Sequence, residues 1–389
     1  MCRADLPARR SSPDLELADI VRAHASDVNG LTSRQSQALT AIASCRTAAL
    51  GGHISSCDSC GFTQTVYNSC RDRHCPKCQG AAQQAWVDKH LQDVLPVPYF
   101  HIVFTIADAL HPLFLAGQAV AYNLLFAAAA RTLEEVAANP RRLGARIGFV
   151  AVLHTWTQTL LYHPHIHVLV PGGGLSPDGA SWRESRSGYF LPVRVLSEVF
   201  RGKLLAELER AVQTRAIRFD EADARRALKR AARSKWNVYA KPPFGGPEAV
   251  IKYLGRYTHR IAISNSRLLD FSNDHVTFAY RDRAAGNERK TLTLPTREFL
   301  RRFLLHVLPR GFQRLRHYGF LANPVRRSAL ALCRAHLNAK PPKAAPANRE
   351  PKSDPRPTCP RCHKGHLELR ETVPASRRWQ RPGKETSPP

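Results

Sequence analysis

The stretch "LLYHPHIHVLVPGGG", residues 160–174, sets histidines at 163, 165 and 167 inside an apolar run that ends in three glycines. Alternate residues of a β-strand share a face, so three imidazoles stand in a row on one side of a strand. The preceding "RIGFVAVLHTWTQTL" reads as a second strand joined to it by a short connection, and the pair forms the centre of a sheet. A set of satisfied core histidines is the bland explanation, but three of five residues on one face are too dense for that. Neutral imidazole is a common ligand for divalent metals, and two histidines at i and i+2 on a strand can hold one ion together. His165 and His167, with a single hydrophobic residue between them, are the candidate pair; His163, before Pro164, lies nearer the start of the strand. A catalytic metal keeps coordination positions open for substrate. A third protein ligand must then come from a neighbouring strand. His154 is best placed, with Gln158 and His101 as alternatives.

The rest of the chain supplies the other elements of such a sheet. Apolar residues at three- and four-residue spacing predict helices over 15–45 and again in "AAQQAWVDKHLQDVL", which "PVPYF" ends. "YFHIVFTIA" reads as a strand, and the Ala/Leu-rich segment after it as one or two helices. "LSEVFRGKLLAELERAVQ", "DEADARRALKRAARS", "PEAVIKYLGRYTHR" and "TREFLRRFLLHVL" follow helical spacing, while "AISNSRLLDFSNDHVTFAYRD" and "KTLTLPTREF" suggest two or three further strands. Hairpin-like strands and helices without regular βαβ alternation predict an α+β fold around an antiparallel sheet. From about residue 338 the sequence "NAKPPKAAPANREPKSDPRPT" is a Pro/Ala/Lys linker that cannot build a core. The expected organisation is a helical and cysteine-rich domain over 1–95, a sheet domain over 96–337, and a mostly disordered tail over 338–389.

Fifty-eight Lys and Arg against 31 Asp and Glu give a formal net charge of +27. The excess is mostly arginine, suited to bidentate phosphate contact, and a basic field of this size favours a polyanion such as nucleic acid. No long basic amphipathic helix suited to lying in lipid is apparent, nor a run of about 18 apolar residues that would cross a membrane. Neither is there an N-terminal apolar segment of signal-peptide type. The expected location is the cytoplasm.

In that compartment ten cysteines point to metal rather than to disulfides. "CDSCGFTQTVYNSCRDRHCPKCQG" contains Cys57-x2-Cys60 and Cys75-x2-Cys78, the spacing of a structural zinc site built from four thiolates. Cys45, Cys70, His53 and His74 remain. Any of them could replace a nominal ligand or complete a second site, though Cys45 and Cys70 also suit buried packing beside the metal. Cys359-x2-Cys362, with His363 and His366, is half a site in the tail.

"KYLGRYTHR" places Tyr253 and Tyr257 four residues apart, on one face of a helix. Such a pair is commonly half-buried packing. Beside a metal site in a basic protein it gains a second meaning, because a tyrosine hydroxyl can attack a DNA phosphate while a metal polarises the phosphate oxygens. Lys252, Arg256, His259 and Arg260 surround the pair with positive charge suited to that phosphate.

Taken together these motifs resemble the rolling-circle transposases of bacterial insertion sequences, the two-tyrosine branch of the HUH (His-hydrophobic-His) nucleases. The resemblance runs from "CRTAALGGHISSCDSCG" and "VYNSCRDRHCPKCQ" through "YHPHIHVLVPGGGLS" and "YLGRYTHRIAIS" to "LLHVLPRGFQRLRHYGFLAN". It implies His165 and His167 as ligands of a catalytic Mg²⁺ or Mn²⁺, Tyr253 and Tyr257 as nucleophiles, and a zinc-binding DNA module in the first half of the chain. It further implies a central antiparallel sheet with the histidines on a middle strand and the tyrosines on a neighbouring helix. The expected activity is nicking and rejoining of single-stranded or hairpin DNA ends through a 5′-phosphotyrosine link, in a nucleoid-associated protein of a bacterial cytoplasm. Two other classes compete: a non-catalytic zinc-finger DNA-binding protein, and a metal-dependent hydrolase working through bound water. The hydrolase usually needs a carboxylate near its metal, and none lies between Glu135 and Asp178.

Overall fold

The structure is a computed structural model that describes residues 15–78, 93–241, 255, 261–282, 285–339 and 356–376. At its centre is a five-stranded sheet in the order β12-β4-β5-β3-β8, with every neighbouring pair antiparallel. Its strands are β3 (Tyr99–Thr105), β4 (Gly148–Trp156), β5 (Tyr162–Pro171), β8 (Val238–Lys241) and β12 (Leu315–Gly319). The expected α+β class is borne out, and the histidine-bearing strand β5 is the middle one.

The alternation of side chains gives this sheet two unlike faces. Phe100, Ile102 and Phe104 of β3, Phe149, Ala151 and Leu153 of β4, and Ile166, Val168 and Val170 of β5 enter one large hydrophobic core. Two 21-residue helices cover that face: α4 (Gln118–Ala138), which follows the short α3 (His111–Ala116), and α5 (Val193–Gln213). Leu125, Phe126, Ala129 and Leu133 of α4 and Leu196, Phe200, Leu204 and Leu208 of α5 bury the apolar sides of these helices against the sheet. Phe104 meets Phe200 edge-on at 4.9 Å. Burying a side chain of this size contributes about 2–3 kcal/mol, so the strand residues pointing this way are fixed. The intervening residues are thereby fixed on the opposite face. There, Val150, Val152 and Leu169 join a smaller core with Leu330 and Cys333 of α8 (Arg326–His336), and the remaining part of the face carries histidines.

Around this body stand three smaller units. α1 (Leu17–His24) packs on α2 (Ser33–Ser44), whose Thr32 and Gln35 form a reciprocal capping box. Downstream of them β1 (Gly52–Cys57) and β2 (Thr63–Tyr67) make a hairpin. The third strand of that sheet is β13 (Leu367–Val373), antiparallel to β1 on its other side. The expectation of a tail without structure therefore does not extend to residues 356–376. A ladder of β9 (Leu268–Ser272), β10 (His275–Asp282) and β11 (Glu288–Pro295) leads into α7 (Thr296–Leu304), with Phe278 packed on Phe299. Two short strands, β6 (Gly173–Leu175) and β7 (Trp182–Glu184), and the helix α6 (Glu221–Arg233) complete the description. The helix expected over "AAQQAWVDKHLQDVL" lies largely outside the described residues.

Candidate active site and metal centres

Register brings the histidines together. His165 on β5 is the direct cross-strand partner of His154 on β4, and His167 is the partner of Val152. Direct partners share a face, so His154, His165 and His167 stand on the face opposite the large core. One ring nitrogen from each lies within 4.8 Å of the others, the span expected for ligands of a single ion. His154 and His167 are buried and His165 is half-buried. Of the three candidates for the third position, His154 is in the cluster. Gln158 is exposed in the turn after β4.

His101, the other alternative, stands behind the cluster. Its Nε2 lies 2.7 Å from Nδ1 of His167, with the two rings stacked at 5.0 Å. His165 has the corresponding arrangement: its Nδ1 donates to the carbonyl of His163 at 2.6 Å. A ring that donates through Nδ1 keeps its lone pair on Nε2, the nitrogen able to ligate a metal. Orientation of a metal-binding imidazole by its other nitrogen is the usual device. Trp156 stacks on His154 at 4.6 Å and holds the third ring.

The row of three expected from sequence divides here. His163 turns toward Asp108 and His111, 3.9 Å from the carboxylate, and borders a cleft of ≈ 630 Å³ lined also by Thr105, Arg230 and Lys235. Thr105 is the β3 partner of His165, so the cleft adjoins the three-histidine cluster. Its exposed Arg230 and Lys235 provide positive charge at that edge. Tyr162, at the start of β5, is unsuited to attack. It is buried, its hydroxyl is 2.8 Å from that of Tyr122, and burial pushes its phenol far above the ordinary range.

The cysteines require a correction. Cys57, Cys60, Cys75 and Cys78 do not converge on one point. Cys75 and Cys78 meet Cys45 and Cys70, whereas Cys57 and Cys60 meet Cys359 and Cys362. In the first cluster Sγ of Cys78 is 3.5 Å from that of Cys45 and 3.6 Å from that of Cys70. Sulfurs about 2.3 Å from an ion at the centre of a tetrahedron lie about 3.8 Å apart, while a disulfide would need about 2.05 Å. These sulfurs have the separation of thiolates around zinc. The physical reason for the correction is the turn after β2. It carries Cys70 back to Cys45 at the end of α2, whereas Cys57 and Cys60 follow the β1–β2 hairpin away.

His74 is not in either cluster, and neither is His53 on β1. Buried between cysteines 70 and 75, His74 instead links the cysteine-rich unit to the sheet domain. Its Nδ1 lies 2.7 Å from Asp72, and its Nε2 accepts the backbone N–H of Leu308 at 3.1 Å. Burial lowers the pKa of His74, and the N–H accepted at Nε2 requires the neutral ring. Burial acts to raise Asp72, but its bonds to His74 and Arg34 outweigh this and hold it well below the usual carboxylate range. Arg73 donates to the carbonyl of Phe312, and Gln35 to that of Leu304.

Tyr253, Tyr257, Lys252, Arg256, His259 and Arg260 lie outside the described residues. Gly255, between the two tyrosines, is helical and buried. The flanks of this segment are placed. Lys241 ends β8 as the cross-strand partner of His101, and Ile261, Ala262 and Ile263 are buried in the large core.

Comparison with known proteins accounts for both halves of this arrangement. A family described as "Putative transposase" matches residues 148–329, and one described as "Transposase zinc-binding domain" matches residues 17–106. The chain is 47% identical over 381 residues to "Putative transposase y4qJ" of Sinorhizobium fredii, covering 92% of this chain and 95% of that one. It is 30% identical over 310 residues to "Transposase for insertion sequence element IS801" of Pseudomonas savastanoi pv. phaseolicola, covering 78% and 74%. No solved structure matches it. With a zinc-binding region ahead of a sheet that gathers three histidines on one face, and with relatives of this extent, the chain belongs to the IS91/IS801-type transposases of bacterial insertion sequences.

Proposed function

We propose that this transposase cuts single-stranded DNA at the ends of its element through Tyr253 and Tyr257, with the phosphate seated against a divalent ion held by His154, His165 and His167. The observation that carries this reading is the convergence of those three imidazoles on the polar face of the central sheet, two of them oriented through Nδ1. A bound cation there would draw charge from a phosphate oxygen and make the phosphorus a better electrophile. All three donors are nitrogen, a set less suited to oxygen-seeking Mg²⁺ than to Mn²⁺. Of the two expected ions Mn²⁺ fits the cluster better.

The chain's own groups supply the rest. A tyrosine Oη forms a new bond to phosphorus as the bond to the 3′ oxygen breaks; the phenol loses its proton and the departing 3′ oxygen takes one up. One phosphodiester replaces another, so the strand can be rejoined without an energy carrier. Lys252, Arg256, His259 and Arg260, close in sequence to the tyrosines, neutralise the phosphate, and Arg230 and Lys235 extend positive charge along the adjoining cleft. Two tyrosines four residues apart lie about 6 Å apart along a helix axis, so each can serve the same phosphate in turn. The zinc-binding module, its ion held by Cys45, Cys70, Cys75 and Cys78, is assigned to recognition of the DNA ends, within a nucleoid-associated protein.

Covalent trapping tests this reading. Full-length protein, Mn²⁺ and a single-stranded oligonucleotide from the element's end should give an adduct that survives denaturation. Tyr253→Phe and Tyr257→Phe should each retain some adduct, and the double variant none. Peptide mapping must place the link on 253 or 257. An adduct on Tyr239, a well-exposed tyrosine on β8, would overturn the assignment.

A further inference from the structure

The two cysteine pairs that the zinc-binding family match separates, one inside residues 17–106 and one far beyond it, come together in space. Sγ of Cys57 is 3.7 Å from that of Cys362, and Sγ of Cys60 is 3.7 Å from that of Cys359. Both distances are close to the edge of a zinc–thiolate tetrahedron, about 3.8 Å.

The backbone around the two pairs is built alike. In one, the N–H of Gly61 donates to the carbonyl of Cys57 at 3.1 Å; in the other, the N–H of His363 donates to the carbonyl of Cys359 at 3.0 Å. Both residues are left-handed, Gly61 at φ 69° and His363 at φ 56°. In the first knuckle the N–H groups of Ser59 and Cys60 point at Sγ of Cys57, each at 3.4 Å. In the second, those of Arg361 and Gly365 point at Cys359 and Cys362 at the same distance. Backbone N–H groups aimed at sulfur stabilise thiolate charge, which a structural thiol has no need of.

Fit between the knuckles is close. A Cβ on Gly365 would sit 2.6 Å from Sγ of Cys57 and 2.5 Å from both Oδ1 of Asp58 and Oγ of Ser59. Asp58 fixes the approach, its N–H donating to the carbonyl of His366 at 3.1 Å and its carboxylate accepting the N–H of His366 at 2.8 Å. We propose that Cys57, Cys60, Cys359 and Cys362 bind a second zinc ion, which clasps the C-terminal segment 356–376 onto the N-terminal module.

Besides the β1–β13 backbone ladder, the contacts of that segment among the described residues are mostly at the surface. β13 is mostly exposed, with Leu369 64% accessible, so hydrophobic burial contributes little. The ion pairs of Arg356 with Glu368 and Asp58 are at the surface, where such pairs contribute little. Zinc binding is folding energy in sites of this kind.

Zinc content of the full-length protein tests the proposal. Two zinc ions per chain are expected, falling to one in a Cys359→Ser, Cys362→Ser double variant and in Gly365→Val, whose cysteines are all intact. Should the variants fold poorly, alkylation of the native protein decides instead. Cys60, Cys359 and Cys362 should resist N-ethylmaleimide until a chelator is added, although Cys60 is exposed. A single zinc in the full-length chain, two zinc ions in the double variant, or rapid labelling of Cys60 and Cys362 without chelator would overturn it.

Discussion

His101 shows how much a single register position decides. On sequence it is one of several imidazoles able to complete the metal set; in the sheet it lies one strand over, with Nε2 on Nδ1 of His167. A group in that position tunes the ligand without being one, and its loss typically weakens metal binding 10–100-fold. His101→Ala should therefore lower Mn²⁺ affinity by roughly that factor while Mn²⁺ still binds. Calorimetric titration with wild-type affinity would reduce His101 to packing. His306 poses a question of stability. It is fully buried, with Nε2 donating to the carbonyl of Leu160 at 3.1 Å and Nδ1 placed to accept from the Thr155 hydroxyl at 3.2 Å, and burial pushes its pKa down to about 4. The bond from Thr155 requires the neutral ring, because a protonated Nδ1 cannot accept, whereas the bond to Leu160 forms in either state. An unfolded histidine protonates near pH 6.5, so stability is complete above that pH and is lost as pH falls from there toward 4, by roughly 3 kcal/mol at most. Urea unfolding should show this loss, and His306→Gln should flatten it while lowering stability at pH 7.5. Equal slopes in the two proteins would count against the assignment. Alternation along one strand made His165 and His167 legible in the sequence. The roles of His101, His163 and His306 depend on which strands are neighbours, and periodicity within a segment carries no such information.

At the level of elements, the strands and helices that bury a full face were readable, because burial imposes a period. β3, β4, β5, α4 and α5 are of this kind. β1 and β2, "GHISSC" and "TQTVY", are half-exposed and polar, so no alternation marks them, and β13 follows a linker whose composition hides it. β12, "LRHYG", is an edge strand held by shape as much as by apolar burial. At its end Gly319 is left-handed, at φ 56°, and a Cβ there would overlap the carbonyl oxygen of Ile147. Its partner Gly148 admits the ring of Phe320, whose Cδ2 would lie 2.6 Å from an added Cβ. Gly319→Ala should cost about 2 kcal/mol or more, from the left-handed conformation and the displaced strand together. Thermal unfolding would register it as a lower Tm with zinc content unchanged. An unaltered Tm would mean that the edge strand yields freely.

Across the whole molecule, the N-terminal unit shares the large hydrophobic core through Leu17, Ile20, Leu39 and Ile42, and polar contacts from a handful of residues add to that junction. His74, Arg73 and Gln35 each bond a main-chain group in 304–312. Removing the His74 ring leaves the N–H of Leu308 buried and unpaired, a loss of about 1–3 kcal/mol. His74→Ala should thus keep its zinc but open the junction, seen as faster hydrogen exchange at 304–312. Loss of zinc instead would make His74 a ligand. The cysteine spacing correctly announced metal in this unit, but it could not reveal how eight thiols divide, since the partners of Cys57 and Cys60 are some 300 positions away.

That separation has a consequence for how the protein is made. Chains grow at about 5–20 residues per second, so Cys57 and Cys60 leave the ribosome roughly 15–60 s before Cys359 and Cys362 exist. The Cys45 cluster has all its members by residue 78 and can form early in synthesis, whereas the other cluster cannot be completed until residue 362 has been added. A product cut short by a frameshift or stop codon anywhere in the sheet domain would leave its first knuckle unmatched, with the Cys60 thiol at the surface. The last cluster to close therefore distinguishes chains that extend past residue 362 from those that stop short of it.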